Sequence, residues 1–168
     1  HDYLTKFGIG VSTGSGLPGE SKGLFRPVSD WSGTTAPTVA FGQGYALTAM
    51  QATSIFATIA NDGVRVSPTV IAGTSDSSGK FTVASTRKSE RVVSAKTAQQ
   101  VRLMMESVVS GNGTAPSAAI PGYRVAGKTG TAERYDIECG CYSGYTASFI
   151  GFAPADAPRY VISVTIQD

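Results

Sequence analysis

Four consecutive residues, Lys128-Thr129-Gly130-Thr131, set an ammonium and two hydroxyls around a bare glycine. The lysine supplies a fixed positive charge. The two hydroxyls donate and accept hydrogen bonds. Gly130 has no side chain, so a ligand can lie flat against the backbone there. The quartet closes the run Tyr123-Arg-Val-Ala-Gly-Lys128-Thr129-Gly130-Thr131-Ala132, which changes from apolar to reactive within three residues. It reads as a strand that carries a wall of a site. A motif this short recurs by chance, so the elements around it decide its meaning.

Three strands are expected around the motif, at about Tyr123 to Ala132, Tyr145 to Ala153 and Arg159 to Gln167. The last alternates Tyr160, Ile162, Val164 and Ile166 with Val161, Ser163 and Thr165, the period of a pleated strand. The turn Ala155-Asp156-Ala157-Pro158 is short, which makes the last two strands antiparallel neighbours. Two helices precede them. The first runs from about Thr48 to Asn61, with Thr48 and Gln51 at capping-box spacing and an apolar stripe of Ala52, Ile55, Phe56, Ile59 and Ala60. Gly63 stands where a helix C-terminal glycine belongs. The second runs from about Ala95 to Ser110, capped by Ser94, with Ala98, Val101, Met105 and Val108 facing a core and Met104 beside them as filler. Gly111-Asn-Gly113 ends it. Between the helices, Ser67 to Ala72 and Lys80 to Ala84 read as short strands flanking a turn. Residues 1–45 are rich in Gly, Ser, Pro and Thr and read as long loops, with Gly16-Leu-Pro-Gly-Glu20 as a tight turn. An antiparallel meander with packed helices is an α+β architecture.

The totals agree with a folded domain. The chain has 168 residues, 41% hydrophobic and 15% charged, with a net charge of +2. Disorder is excluded by that balance. No basic patch interleaves with aromatics, so nucleic acid is not an expected partner. No apolar run reaches the length of a membrane span. The opening His1-Asp-Tyr-Leu is unlike a natural start, and the chain is expected to begin within a longer protein. Cys139 and Cys141 stand one residue apart. Two such ligands cannot complete a tetrahedral zinc site, and His1 is the single histidine, so no metal and no cofactor are expected. Free thiols and a small loop disulfide both fit the pair, and an oxidising compartment favours the disulfide.

The ordered motifs resemble one family. They are Gly16-Leu-Pro-Gly-Glu20, Gly42-Gln-Gly-Tyr-Ala-Leu-Thr-Ala-Met-Gln51, Ile59-Ala-Asn-Asp-Gly63, Gly113-Thr-Ala115, Ala126-Gly-Lys-Thr-Gly-Thr-Ala132 and Ala147-Ser-Phe-Ile-Gly-Phe-Ala-Pro154. Together they cover nearly the whole chain. It resembles the C-terminal part of the transpeptidase domain of class B penicillin-binding proteins, in which Lys-Thr-Gly is one of three signature elements. The Cys-Gly-Cys insert and the final strands resemble actinobacterial cell-division members.

The resemblance implies residues 1–168 as the C-terminal portion of a single transpeptidase domain with the penicillin-binding, serine-β-lactamase-like fold. It implies serine acyl transfer from D-Ala-D-Ala stem peptides of peptidoglycan, with β-lactam antibiotics as competing acyl donors. Lys128 would supply charge and an orienting or proton-relay role. Thr129 and Thr131 would hold the substrate carboxylate, and the Thr131 backbone N–H would be an oxyanion donor. Gly130 would keep the wall clear, while Phe41, Gln43 and Glu133 would border the cleft. The implied setting is the outer face of the cytoplasmic membrane, anchored elsewhere, beside cell-division or elongation proteins.

Two family elements have only formal matches. Ser85-Thr86-Arg87-Lys88 fits Ser-x-x-Lys, and Ser110-Gly111-Asn112 fits Ser-x-Asn. Both read as fortuitous. The family's Ser-x-x-Lys precedes the Gly-Leu-Pro-Gly-Glu motif, whereas Ser85 follows it. Its neighbours Arg87, Lys88, Glu90 and Arg91 suit a solvated surface, where a lysine stays protonated and is no base. Ser110 reads as a helix end. With one histidine, a Ser-His-Asp triad is excluded. The nucleophile is therefore expected on an upstream segment, and the isolated chain is expected to be inactive. A β-lactamase or D,D-carboxypeptidase of the same fold and a non-catalytic β-lactam sensor remain as alternatives. A last expectation is a helix beyond Asp168 that covers the final sheet.

Overall fold

The structure, a computed structural model, describes residues 1–84 and 87–167. It forms two compact units, His1–Ile55 with Val64–Val92, and Phe56–Gly63 with Val93–Asp168.

The first unit is mostly loop, as its glycines predict. It adds two short helices that the sequence did not announce, α1 (Asp2–Lys6) and α2 (Thr35–Ala40). Without regular pairing, these loops need other partners for their backbone groups. Two side chains provide them. Glu20, which closes the Gly-Leu-Pro-Gly-Glu motif, accepts hydrogen bonds from the Thr13 backbone N–H at 2.6 Å and the Ser12 hydroxyl at 2.8 Å. The Thr13 hydroxyl and the N–H groups of Gly14 and Ser15 complete the ring. The Thr13 hydroxyl is the largest influence on this carboxyl, and the donors together hold its pKa at about 2, against an ordinary 4.5.

A carboxylate whose pKa is depressed on folding stabilises the fold above its unfolded pKa. That contribution is lost as pH falls through the folded value. Here the window runs from 4.5 down to about 2. Glu20→Gln is therefore expected to lower the melting temperature at pH 7 and to flatten its decline across that window. Thermal unfolding followed between pH 7 and 2 checks this, and parallel curves for the two proteins would contradict it.

The second provider is Gln51 in helix α3 (Ala49–Ala60). Its capping box forms as expected. The Thr48 N–H donates to Gln51 Oε1 at 2.8 Å, and the Gln51 N–H donates to Thr48 Oγ1 at 3.1 Å. The same side chain is only 1% exposed. Its Nε2 donates to the carbonyls of Val11 and Lys22, both at 2.9 Å, and of Gly8 at 3.3 Å. One amide thus ties three loop segments to the start of α3.

Two small two-stranded antiparallel sheets complete this unit. β1 (Val64–Val66) pairs with β4 (Ser89–Arg91), and β2 (Gly73–Ser75) pairs with β3 (Phe81–Val83). The strand expected at Ser67–Ala72 is not there. Pro68 lacks an N–H, and the Thr69 hydroxyl accepts from the Ile71 N–H at 3.0 Å, turning the backbone out of extension. The segment pairs only at its ends, where the Ser67 N–H donates to the Lys88 carbonyl and the Ala72 carbonyl accepts from the Ala84 N–H, both at 3.0 Å, and the strand itself starts at Gly73. The turn between β2 and β3 is held by Asp76, which accepts from the N–H groups of Ser78 and Lys80 and from the Ser78 hydroxyl. Those bonds, the Ser78 hydroxyl first, lower the Asp76 pKa.

In the second unit, α3 ends with the Gly63 N–H donating to the Thr58 carbonyl at 2.8 Å. Arg102 donates to the carbonyls of Ile59 and Ala60 and to Asp62 at 2.7 Å, so a cation covers the negative end of the helix. Helix α4 (Ala95–Glu106) starts at Ser94, whose hydroxyl accepts from the Thr97 N–H at 3.0 Å. It ends four residues earlier than expected and tightens into a 3-10 turn, Ser107–Val109. Ala98 is buried as read, but Met104 is 67% exposed and fills no core.

The sheet is β5 (Ala126–Asp136), β6 (Cys141–Ala153) and β7 (Tyr160–Gln167), in that order and antiparallel throughout. α4 and its 3-10 extension pack against β5. Ala126, Ile150 and Phe152 are buried and, by register, share one face. The alternation in β7 is correct, yet its apolar set, Tyr160, Ile162, Val164 and Ile166, is exposed on the opposite face. The β5–β6 hairpin extends further than expected, to the pair Asp136 and Cys141, with a register shift between Glu133 and Tyr135. At its tip Cys139 and Cys141 form a disulfide. Among the described residues, no cluster of His, Cys, Asp or Glu is arranged to hold a metal ion, and no helix is long and apolar enough to cross a membrane.

Candidate functional site

Strand β5 enters from a fixed point. Arg124 makes a bidentate pair with Glu106, Nε to Oε2 at 2.9 Å and an NH2 nitrogen to Oε1 at 2.7 Å. That hydrogen bonding raises the Arg124 pKa further, and the guanidinium stays charged. The Arg124 carbonyl accepts from the Ala155 N–H at 2.8 Å, joining the start of β5 to the end of β6. Ala126 and Gly127 are then buried, and the chain emerges at Lys128.

β5 is an edge of its sheet: β6 lies on one side, and no described strand pairs with the other. An edge strand presents backbone N–H and C=O groups to whatever lies alongside. Thr129, Thr131 and Glu133 alternate onto one face, and Lys128 and Gly130 onto the other. The Lys128 side chain folds back across this division. Its Nζ donates to the Thr129 carbonyl at 2.9 Å and to Thr129 Oγ1 at 3.4 Å. The positive charge therefore sits beside the first threonine hydroxyl. Thr131 and Glu133 are exposed.

Gly130 has a reason of its own to lack a side chain. It pairs with Ser148 of β6, and a Cβ added at Gly130 would lie 2.7 Å from Ser148 Oγ. The Ser148 hydroxyl occupies that space and donates to the Gly130 carbonyl at 3.4 Å. Gly130→Ala is expected to turn the Ser148 hydroxyl away from the Gly130 carbonyl and to destabilise the full-length protein by about 0.5–1.5 kcal/mol, the net worth of one hydrogen bond. Ser148→Ala should remove most of that cost. A double-mutant cycle by thermal unfolding checks the coupling, and strictly additive effects would contradict the steric explanation.

The structure thus brings Lys128, Thr129, Gly130, Thr131 and Glu133 onto one strand. Phe41 and Gln43 belong to the first unit, at the exposed end of α2, where the Gln43 N–H donates to the Thr38 carbonyl at 3.0 Å. Ser110 is held at the end of the α4 segment, its hydroxyl donating to the Ser107 carbonyl at 2.7 Å. Ser85 lies outside the described residues. Two neighbours of the motif were not singled out from sequence. Ser148 is one. Thr114 is the other, with its Oγ1 3.2 Å from Thr129 Oγ1. Only the strand register identifies Ser148. Thr114 lies within Gly113-Thr-Ala115 and Ser148 within Ala147-Ser-Phe, but their partners are fifteen and eighteen residues away.

An edge strand with a lysine–threonine–glycine wall, on an antiparallel sheet backed by helices, is the arrangement of the serine acyltransferases that bind penicillin. Residues 1–168 match the penicillin binding protein transpeptidase domain from end to end, and the chain belongs to that family, in its class B branch. It is 47% identical over 176 residues to penicillin-binding protein PbpB of Mycobacterium tuberculosis, covering 100% of this chain and 26% of that protein. It is 35% identical over 168 residues to the probable peptidoglycan D,D-transpeptidase PenA of Neisseria gonorrhoeae, covering 100% of this chain and 27% of that protein. The crystal structure of penicillin binding protein 3 from Mycobacterium tuberculosis, complexed with aztreonam, superposes with a TM-score of 0.96 at 47% identity, over 99% of this chain and 39% of that one. The chain therefore spans about a quarter of the length of these curated relatives.

Proposed function

We propose that this chain is the C-terminal part of the transpeptidase domain of a peptidoglycan D,D-transpeptidase. The observation that carries the reading is the Lys128 ammonium and Thr129 hydroxyl held together on an open strand edge. Such an edge can pair with an extended peptide through its backbone, while the ammonium and hydroxyls attract a terminal carboxylate. The relative named as a probable peptidoglycan D,D-transpeptidase and the aztreonam complex of another relative support it.

In this reading a serine supplied by an upstream segment attacks the D-Ala-D-Ala carbonyl. Its proton passes to a neighbouring base, and D-Ala leaves with a proton. An amine of a second stem peptide then takes the acyl group and frees the serine. Lys128 supplies charge and orients the hydroxyls. Thr129 and Thr131 hold the carboxylate. The Thr131 N–H is one of the donors that stabilise the oxyanion, Gly130 leaves the backbone open, and Glu133 borders the cleft. β-Lactams acylate the same serine. The protein works at the outer face of the cytoplasmic membrane, with cell-division or elongation proteins as partners.

Incubation of the full-length protein with fluorescent penicillin, then with a stem peptide and an amine acceptor, tests this. A stable adduct together with acyl transfer to the amine is the expected outcome. Rapid release of opened antibiotic would indicate a β-lactamase, and a stable adduct without peptide exchange a sensor.

A further inference from the structure

The hydroxyl of Thr129 has three hydrogen-bonding directions, one through its proton and two through its lone pairs. Two partners already stand at it. Lys128 Nζ, at 3.4 Å, has no lone pair when charged and can only donate. Thr114 Oγ1, at 3.2 Å, can donate or accept. If Thr114 donates, both lone pairs of Thr129 are engaged, and its proton is the one direction left. We propose that Thr114 is a positioning residue. It donates to Thr129 and thereby fixes the Thr129 hydroxyl as a donor aimed at the carboxylate of the ligand. The inference rests on the transpeptidase reading and adds to it a residue outside the Lys-Thr-Gly motif.

The placement of Thr114 is rigid. The Gly113 N–H donates to the Ser110 carbonyl at 2.8 Å, and the Ala115 N–H donates to the Val108 carbonyl at 2.9 Å. These bonds bind both neighbours of Thr114 to the turn after α4. A Cβ on Gly113 would overlap the Val108 carbonyl oxygen, so the loop is pressed against that turn. Ala115 is buried and Pro116 opens a 3-10 turn. Thr114 itself is exposed, so its hydroxyl serves no core. A donor chain running from Thr114 through Thr129 also polarises the outgoing proton, which strengthens the last bond in the chain.

The test uses the full-length protein and two probes, benzylpenicillin with its free carboxylate and its methyl ester. Thr114→Val keeps the shape and removes the donor. It is expected to slow acylation by the free acid about tenfold, the effect of losing one well-placed hydrogen bond, and to leave acylation by the ester unchanged. Thr114→Ser is expected to restore the rate with the acid. Thr129→Val, which removes the outgoing donor itself, should reduce the preference for acid over ester at least as much as Thr114→Val does, with Thr131 and Lys128 retaining the remainder. A Thr114→Val protein that reacts with the acid at the wild-type rate overturns the proposal. So does one that slows equally with both probes, because that result marks a purely structural role. A Thr129→Val protein that keeps its full preference for the acid also overturns the proposal, because Thr114 would then have no outgoing donor to fix, whereas a wild-type protein that takes no label contradicts the transpeptidase reading itself.

Discussion

Lys128→Ala in the full-length protein is expected to slow acylation by penicillin about 10²–10³-fold, the range seen when one preorganised electrostatic contact at a reacting centre is removed. The side chain is exposed and its two hydrogen bonds go only to the next residue, Thr129. Its loss therefore leaves the packing of β5 intact, and the melting temperature should stay within about 1 °C of wild type, as for other surface changes. What disappears is the positive charge beside the Thr129 hydroxyl. Lys128→Arg should recover little, because a planar fork cannot reach the Thr129 carbonyl and hydroxyl in the way a compact ammonium does. Stopped-flow acylation with unfolding curves in parallel separates the two effects. A wild-type acylation rate in Lys128→Ala would remove Lys128 from the site.

Gln51→Leu is expected to produce the largest loss of stability, about 3 kcal/mol or more. The leucine fits the volume but leaves the carbonyls of Gly8, Val11 and Lys22 without their donor. The Gly8 bond is buried and the other two are part-buried, and a buried carbonyl left unpaired costs about 1–3 kcal/mol. The substitution also breaks the capping box at Thr48. Gln51→Glu should be almost as harmful, since a carboxylate keeps the acceptor and loses the donors. Urea unfolding of the full-length protein measures both. A change below about 1 kcal/mol, the ordinary size for a point substitution, would mean that water replaces Gln51 at all three carbonyls.

These two residues mark how far the sequence could be read. Lys128 was legible because its chemistry is local. The charge, the hydroxyls and the bare glycine stand in a row, and the flanking strands alternate clearly. Gln51 was legible only as a cap. Its larger role depends on carbonyls up to forty-three residues away, in loops with no periodic pattern. Thr114 and Ser148 were hidden for the same reason, since register and loop docking are tertiary facts. The extension of β5 to Asp136 ran through Glu133 and Arg134, whose polarity resembles a loop, although ladder hydrogen bonds depend on the backbone and not on side-chain polarity. The β-branched residues of Ser67–Ala72 favour a strand, but Pro68 and the Thr69 hydroxyl outweigh them. The residue type of Met104 suits a core, while Leu103 and Met104 face outward on α4.

The most direct measurement is peptide mass mapping after labelling with fluorescent penicillin, on residues 1–168 alone and with the upstream segment supplied. The expected result is no adduct on the 168-residue chain alone, and one adduct on a serine of the upstream segment when both are present. A covalent adduct at Ser85, or at any other serine within residues 1–168, would contradict the assignment of this chain as the wall of a site whose nucleophile lies elsewhere.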